Sequence, residues 1–148
     1  MQLATASGAT VIGLAGPSNH AWLTGHGVVA VSYGPGVADR IRDAAGGGQI
    51  DAFIDTFGAG YVDLALELGV KPDRIDTIAD FEAITKFGVK GEGSAFGASA
   101  AVLAELADLI ASGRLELPIA RTYPLAQVRD ADTDLEHRHP HGKIVLFP

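Results

Sequence analysis

The sequence contains no cysteine. This absence excludes disulfide bonds, a thiol nucleophile and thiolate zinc sites, and it fits a reducing compartment. Long hydrophobic runs are also absent, because no segment reaches the roughly 18–20 apolar residues that a membrane span needs. The first apolar stretch, MQLATASGATVIGLAG, has no basic region before it and does not resemble a signal peptide. We therefore expect a cytoplasmic protein without a membrane partner.

Positive charge is scarce. Eleven Lys and Arg residues stand against 18 Asp and Glu residues, which gives a formal net charge of −7. This balance repels phosphate backbones, and the sequence offers no basic stripe. Nucleic acid is therefore excluded as an expected partner, and any chemistry must use His, acidic residues, Tyr, Ser or a cofactor.

What the sequence does contain is an alternation of short β-branched runs with longer segments of helical period. That alternation is typical of βα units around a parallel sheet. A chain of 148 residues has the size of one domain, so we predict a single α/β domain over residues 1–148 with about six strands and flanking helices. The predicted strands are Ala9–Ala15, Val28–Ser32, Ile50–Phe57, Arg74–Ile78, Leu115–Ala120 and Lys143–Phe147.

Proline and glycine indicate where helices begin and end. Pro17 and Pro35 suit first-turn positions, where a missing N–H costs nothing. The clearest helix is predicted at Ala98–Ser112, with Gly113 as its stop. Another is predicted at about Pro124–His137, with an apolar face turned to the core. That face consists of Leu125, Val128 and Leu135.

Several of these segments together resemble one family. They are GATVIGLAGPSNHAWLTGHGVVAVSY, IDAFIDTFG, RIDTIADF and the closing YPLAQVRDADTDLEHRHPHGKIVLFP. In order and spacing, the chain resembles the C-terminal nucleotide-binding half of a zinc-independent, quinone-oxidoreductase-like medium-chain dehydrogenase/reductase. The resemblance implies a Rossmann-like sheet and an oxidoreductase that uses NADP(H) without zinc.

The resemblance also implies a departure from the family pattern. GATVIG corresponds to the family's second strand, so the first strand and its Gly-rich phosphate loop have no counterpart here. In the strand order 3-2-1-4-5-6 the first strand is central. Its neighbours, predicted at Ala9–Ala15 and Ile50–Phe57, must then pair directly, or another copy of the chain or a segment upstream of Met1 must supply the pairing. We expect a homo-oligomer, most simply a homodimer, and weakened cofactor binding by the chain alone.

The cofactor-binding residues that the resemblance implies follow two of the strands. Gly16, Ser18, Asn19 and Tyr33 correspond to positions near the adenosine ribose and its 2′-phosphate, and LAGPSNH contains no acid of the kind that binds an NAD ribose. Thr56, Phe57 and Gly58 correspond to backbone near the nicotinamide. A purely structural role remains open for each set: Ser18 and Asn19 as helix caps, Tyr33 as packing, and the Thr56–Gly58 segment as a turn.

No residue is identified as catalytic by the sequence. The weak candidates are His20, Tyr33 and Asp55, which are titratable groups near the expected cleft. His137, His139 and His141 have a spacing that could bind a metal only in an extended segment, and Pro140 and Gly142 argue against that geometry. We therefore expect no metal site.

Three functions remain open. The first is the NADP(H)-binding domain of a quinone-reductase- or alcohol-dehydrogenase-like oxidoreductase, impaired in cofactor binding on its own. The second is a small cofactor-independent enzyme, an isomerase or cyclase, that binds a small apolar ligand in the vacated cleft. The third is a non-catalytic module that associates with itself through exposed strands.

Overall fold

The computed structural model describes residues 1–137 and 140–148, except for the side chains of residues 95 and 96. It divides the chain into two compact units, Met1–Val102 and Leu103–Pro148, and each is described here by itself. The described residues form six strands, all paired in parallel, together with α-helices. The predicted α/β class and the number of strands are confirmed, whereas the single domain stays a prediction.

The first unit contains four strands that alternate with helices along the chain. Its elements are α1 (Gln2–Ala6), β1 (Val11–Leu14), α2 (His20–Gly25), β2 (Val28–Val31), α3 (Val37–Ala44), β3 (Phe53–Asp55), α4 (Tyr61–Glu67), β4 (Ile75–Thr77), α5 (Phe81–Phe87) and α6 (Ser94–Gly97). Helix α7 (Ala100–Ala111) begins in this unit and ends in the second. The strands are shorter than the apolar runs that predicted them, because the ladder covers only part of each run.

The strands of the first unit form two separate pairs. β1 pairs with β2 and β3 pairs with β4, both in parallel, and among the described residues β1 and β3 are not bonded to each other. Direct pairing of these two strands, one of the three alternatives given above, is therefore not observed. The pairs β2–β1 and β3–β4 are compatible with positions 3-2 and 4-5 of the order 3-2-1-4-5-6.

The unpaired edges can be identified from the ladder bonds. The Ala15 N–H donates to the Val31 carbonyl, and the Ile78 N–H donates to the Asp55 carbonyl, both at 3.0 Å. Because residues in a parallel strand bond alternately to either side, the N–H and C=O groups of Ile12, Leu14 and Ile54 point away from the existing partners. The Ile54 side chain is also 71% exposed, although it lies in the middle of β3.

The core of the first unit lies around β4. Apolar residues of α4, β4 and α5 and of the loops beside them are buried against one another; they are Val62, Ala65, Val70, Ile75, Ala83 and Val89. Helix α5 begins at a side-chain cap, because the Asp80 carboxylate accepts the Ala83 N–H at 3.0 Å. The helix ends at Gly88, whose φ of 67° suits glycine. This packing holds the carboxyl ends of β3 and β4 in place.

The second unit pairs β5 (Ile119–Pro124) with β6 (Lys143–Phe147), and α8 (Val128–Glu136) lies between them in the chain. The bounds predicted for this strand, Leu115–Ala120, are wrong: the strand starts after Pro118, which cannot donate to a ladder. The Pro118 carbonyl instead accepts the Lys143 N–H at 2.8 Å.

The expected apolar core face of α8 is also wrong. Leu125, Val128 and Leu135 are 58%, 45% and 54% exposed, and Ala131 is the buried residue of the helix. Among the described residues of the second unit, no apolar layer covers these side chains. The helical spacing of apolar residues therefore did not predict which of them are buried. No helix among the described residues is long and apolar enough to cross a membrane.

Candidate functional site

The first group of expected site residues lies after β1. Residues Pro17–Asn19 form a single 3-10 turn that begins at Gly16 and leads into α2, and the Asn19 N–H donates to the Gly16 carbonyl at 2.9 Å. Neither turn nor helix has a side-chain cap hydrogen bond. The alternative role of Ser18 and Asn19 as side-chain caps is therefore wrong, and the exposed Ser18 side chain remains available to a ligand.

Tyr33 joins this group from the end of β2. Its hydroxyl oxygen lies 3.4 Å from the position that a Cβ on Gly16 would occupy. The Tyr33 side chain is 59% exposed, so it does not serve as core packing. The structure thus brings Gly16 and Tyr33 together at the carboxyl ends of two adjacent parallel strands, where open α/β sheets bind their ligands.

Arg40 shapes the loop that carries Tyr33. Its guanidinium donates to the Ser32 carbonyl through Nε at 3.0 Å and through Nη2 at 2.9 Å. It also donates to the carbonyls of Pro35 at 2.8 Å and Gly34 at 3.2 Å. This role of Arg40 was not predicted from the sequence. An Arg in the first turn of a helix that follows a Gly-Pro-Gly loop could have indicated hydrogen bonds to the loop carbonyls.

The second group of expected site residues lies after β3. Asp55 is 2% exposed, and its Oδ1 atom accepts the N–H groups of Phe57 and Gly58, both at 2.9 Å. Its Oδ2 atom accepts the hydroxyl of the buried Thr77 at 2.7 Å. The Phe57 and Gly58 N–H groups therefore point inward, whereas the Thr56 and Phe57 side chains are exposed.

The two remaining catalytic candidates, His20 and Asp55, both form hydrogen bonds with backbone groups. The Nε2 atom of His20 lies 3.1 Å from the Ala15 carbonyl oxygen and acts as its donor. The Asp55 carboxylate accepts the three hydrogen bonds described above, and among the described side chains no buried polar atom lacks a partner. Tyr33 is the candidate whose hydroxyl faces a possible ligand position, and a catalytic role for any of the three stays a prediction.

The second unit carries a polar cluster of its own. Arg121 Nη1 lies 3.1 Å from Asp134 Oδ1, and the Tyr123 hydroxyl donates to Asp134 Oδ2 at 3.2 Å. The hydrogen bond with Tyr123 and the charge of Asp134 raise the pKa of Arg121 above its usual value. The cluster ties α8 to β5 and keeps Arg121 charged.

The His cluster near the C-terminus is described in part. His137 Nδ1 lies 2.7 Å from the Thr133 carbonyl oxygen, and His139 lies outside the described residues. Within residues 1–137 and 140–148, no group of three or more His, Asp or Glu side chains is arranged to hold a metal ion.

These features define a class of protein: a Rossmann-like α/β protein with parallel strands, whose candidate ligand-binding residues follow its strands. The family described as zinc-binding dehydrogenase matches residues 25–146. The chain belongs to this family, and the resemblance to medium-chain dehydrogenase/reductase proteins is confirmed. No significant match was found among proteins of curated function.

Solved structures agree with this assignment. The quinone oxidoreductase from Coxiella burnetii is 25% identical with a TM-score of 0.78, over 98% of this chain and 47% of that chain. Mycobacterial Rv1454c, solved in complex with NADPH, is 25% identical with a TM-score of 0.74, over 99% and 51%. The quinone oxidoreductase from Pseudomonas syringae pv. Tomato DC3000 has the same fold, with 23% identity and a TM-score of 0.75 over 99% and 51%. The chain spans about half the length of these proteins.

Proposed function

We propose that this chain is the NADP(H)-binding part of a quinone-reductase- or alcohol-dehydrogenase-like oxidoreductase. The observation that carries the proposal is the contact between Tyr33 and Gly16. A Cβ on residue 16 would lie 3.4 Å from the Tyr33 hydroxyl oxygen, an ordinary van der Waals distance, so the two residues lie side by side after β1 and β2. The segment Leu14–His20 contains no acidic residue, which favours a ribose that carries a 2′-phosphate over one with a free 2′-hydroxyl.

The residues at this edge fit the adenosine end of the cofactor. The exposed hydroxyls of Ser18 and Tyr33 can donate to a phosphate, and the Asn19 amide can donate as well. The bound nicotinamide would supply the hydride chemistry, and the chain would bind and orient the dinucleotide. The mycobacterial relative that was solved with NADPH supports this choice of cofactor.

We further propose that residues 1–148 bind NADP(H) weakly on their own. Hydrogen bonds to charged groups contribute about 1.5–3 kcal/mol each, and this sequence has no Gly-rich turn before β1 to supply such bonds to the pyrophosphate. The loss of two such bonds weakens binding by roughly a hundredfold or more. Most of the remaining affinity then resides in the adenosine 2′-phosphate.

The test is a titration with NADPH, NADH and the fragment 2′,5′-ADP, followed by the thermal midpoint and by NMR. We expect NADPH and 2′,5′-ADP to raise the midpoint at millimolar ligand, with NADH nearly inert. Tyr33→Phe should weaken 2′,5′-ADP about tenfold or more, since it removes a bond to a charged group. Ser7→Ala, which changes an exposed Ser directly after α1, is the control. If 2′,5′-ADP does not bind, or if NADH binds more tightly than NADPH, the proposal is wrong.

A second candidate function, self-association, is favoured by a different observation. The outward edges of β1 and β3 are unpaired, and the apolar Ile54 side chain on β3 is largely exposed. Unpaired strand edges beside exposed apolar groups are typical association surfaces. We propose that the chain forms a homodimer through this surface.

A further inference from the structure

The loop that follows β2 is folded around the guanidinium group of Arg40. Four hydrogen bonds of 2.8–3.2 Å run from Arg40 to three carbonyl oxygens of this loop, those of Ser32, Gly34 and Pro35. A positive φ of 102° at Gly34, which suits glycine, allows the backbone to turn these carbonyls inward. Since Tyr33 lies between the bonded residues, Arg40 fixes the backbone on both sides of Tyr33.

The same hydrogen bonds orient the peptide groups of the loop. In a trans peptide group, which is the usual form, the N–H points opposite to the C=O. Because the Ser32 and Pro35 carbonyls point toward Arg40, the N–H groups of Tyr33 and Gly36 point away from it. The outer side of the loop therefore presents backbone donors together with the exposed Tyr33 side chain. Loops that present backbone N–H groups in this way are suited to anions.

The positive charge of Arg40 is held by neutral groups. Residues 2–38 contain no Asp, Glu, Lys or Arg, and the hydrogen bonds described above end on carbonyls. Arg42 on the same helix instead forms ion pairs with Asp39 at 2.9 Å and with Glu67 at 3.3 Å. The acid next to Arg40 in the chain is thus bound to Arg42. Arg40 is therefore the fixed positive charge of the loop that carries Tyr33.

We infer that Arg40 is a positioning residue that holds Tyr33 beside Gly16 and supplies the charge by which this edge selects a phosphate monoester over a free hydroxyl. The inference rests on the proposed function, because it assumes that the adenosine end of the cofactor binds after β1 and β2. Stabilisation of α3 does not explain Arg40, since the dipole at the start of a helix disfavours a cation. Arg40 acts through the loop and through its charge.

The experiment compares 2′,5′-ADP with 5′-AMP, which lacks only the 2′-phosphate, by NMR titration of the full chain. We expect the wild type to bind 2′,5′-ADP about tenfold more tightly, because the second phosphate adds charge-assisted hydrogen bonds. The difference should shrink between about 0.05 M and 0.5 M NaCl, since salt screens the attraction between Arg40 and the phosphate. Arg40→Gln should remove most of the difference and change the affinity for 5′-AMP by less than about twofold.

Arg42→Gln is the matched control, because it removes the same charge from the same helix at a side chain that pairs with acids. It should leave the difference between the two ligands unchanged. The positioning role is tested by a double-mutant cycle with Tyr33→Phe. If Arg40 acts through Tyr33, Arg40→Gln should weaken 2′,5′-ADP clearly less in the Tyr33→Phe background than in the wild type.

Three results would overturn the inference: equal losses for both ligands in Arg40→Gln, a loss in Arg42→Gln as large as that in Arg40→Gln, and additive losses in the cycle. A wild-type difference that does not change with salt would overturn it too, and this measurement needs no variant to fold. Arg40→Lys keeps the charge and should retain the salt dependence. Absence of 2′,5′-ADP binding by the wild type would instead refute the proposed function.

Discussion

Thr77 shows how much one hydroxyl group can contribute at the residue scale. It donates to Asp55 and accepts two N–H groups, and none of its surface is exposed. Thr77→Val keeps the shape but leaves a buried carboxylate oxygen and two N–H groups without this partner. The buried carboxylate oxygen bears the full cost of about 1–3 kcal/mol, whereas the two N–H groups are only part-buried and lose less, so we expect the free energy of unfolding to fall by about 2–4 kcal/mol.

Urea denaturation measures this change, with Thr77→Ser as the control. Serine loses a methyl group but keeps the hydroxyl, so its cost should stay near 1 kcal/mol, as for other deletions of a buried methyl group. A Thr77→Val protein as stable as the Ser variant would show that the hydrogen bonds of Thr77 do not stabilise the fold. The loss expected for Thr77→Val is a large share of the roughly 5–15 kcal/mol stability of a domain. This variant must therefore be shown to fold before any ligand titration with it can be interpreted.

The sequence could predict Asp55 as a residue of interest but not its role. An acid in the apolar run IDAFIDTF is unusual, and it was therefore a weak catalytic candidate. The decisive contact is with Thr77, 22 residues away, and it exists because the register places Asp55 opposite Thr77. Register is a tertiary property, so Thr77 was not identifiable from local pattern.

Helix α5 provides a prediction at the scale of an element. Its first turn is capped by the Asp80 carboxylate, which accepts the Ala83 N–H, and Ala83 is buried in the core. Asp80→Ala should lower the free energy of unfolding by about 1 kcal/mol, the usual cost of losing a side-chain cap. Asp80→Asn keeps an acceptor oxygen and should cost much less. Chemical denaturation of the two variants checks this, and equal losses would contradict a capping role.

Elements were predicted well where local signals decide them and poorly where packing does. Lys143–Phe147 was predicted with the observed bounds of β6. The strand predicted at Leu115–Ala120 was displaced because its apolar run extends across Pro118. The apolar residues of α8 recur with helical period, as predicted, yet they are exposed. Burial requires a second apolar layer to pack on them, and the described residues of the second unit do not supply one.

The proposed homodimer belongs to the scale of the whole molecule. Ile54 is 71% exposed at an unpaired strand edge, and each copy carries a net charge of −7. Burial of apolar surface favours association, whereas the repulsion between two acidic chains opposes it. Salt screens this repulsion, because the Debye length falls from about 10 Å at 0.1 M to about 3 Å at 1 M. We therefore expect the dimer to become stronger as the salt concentration rises.

Light scattering coupled to gel filtration measures the mass at several protein and salt concentrations. Ile54→Lys places a charge at the proposed contact and should shift the protein to monomer at concentrations where the wild type is dimeric. Phe81→Lys adds the same charge at a side chain that is 74% exposed on a helix, and it should leave the dimer intact. Each Lys substitution changes the net charge from −7 to −6 and so weakens the repulsion between copies; if both variants nevertheless dissociate equally, the β3 edge has no special role. A wild type that is monomeric at every salt and protein concentration would refute the dimer itself, and the edges of β1 and β3 would then be free to pair with another polypeptide.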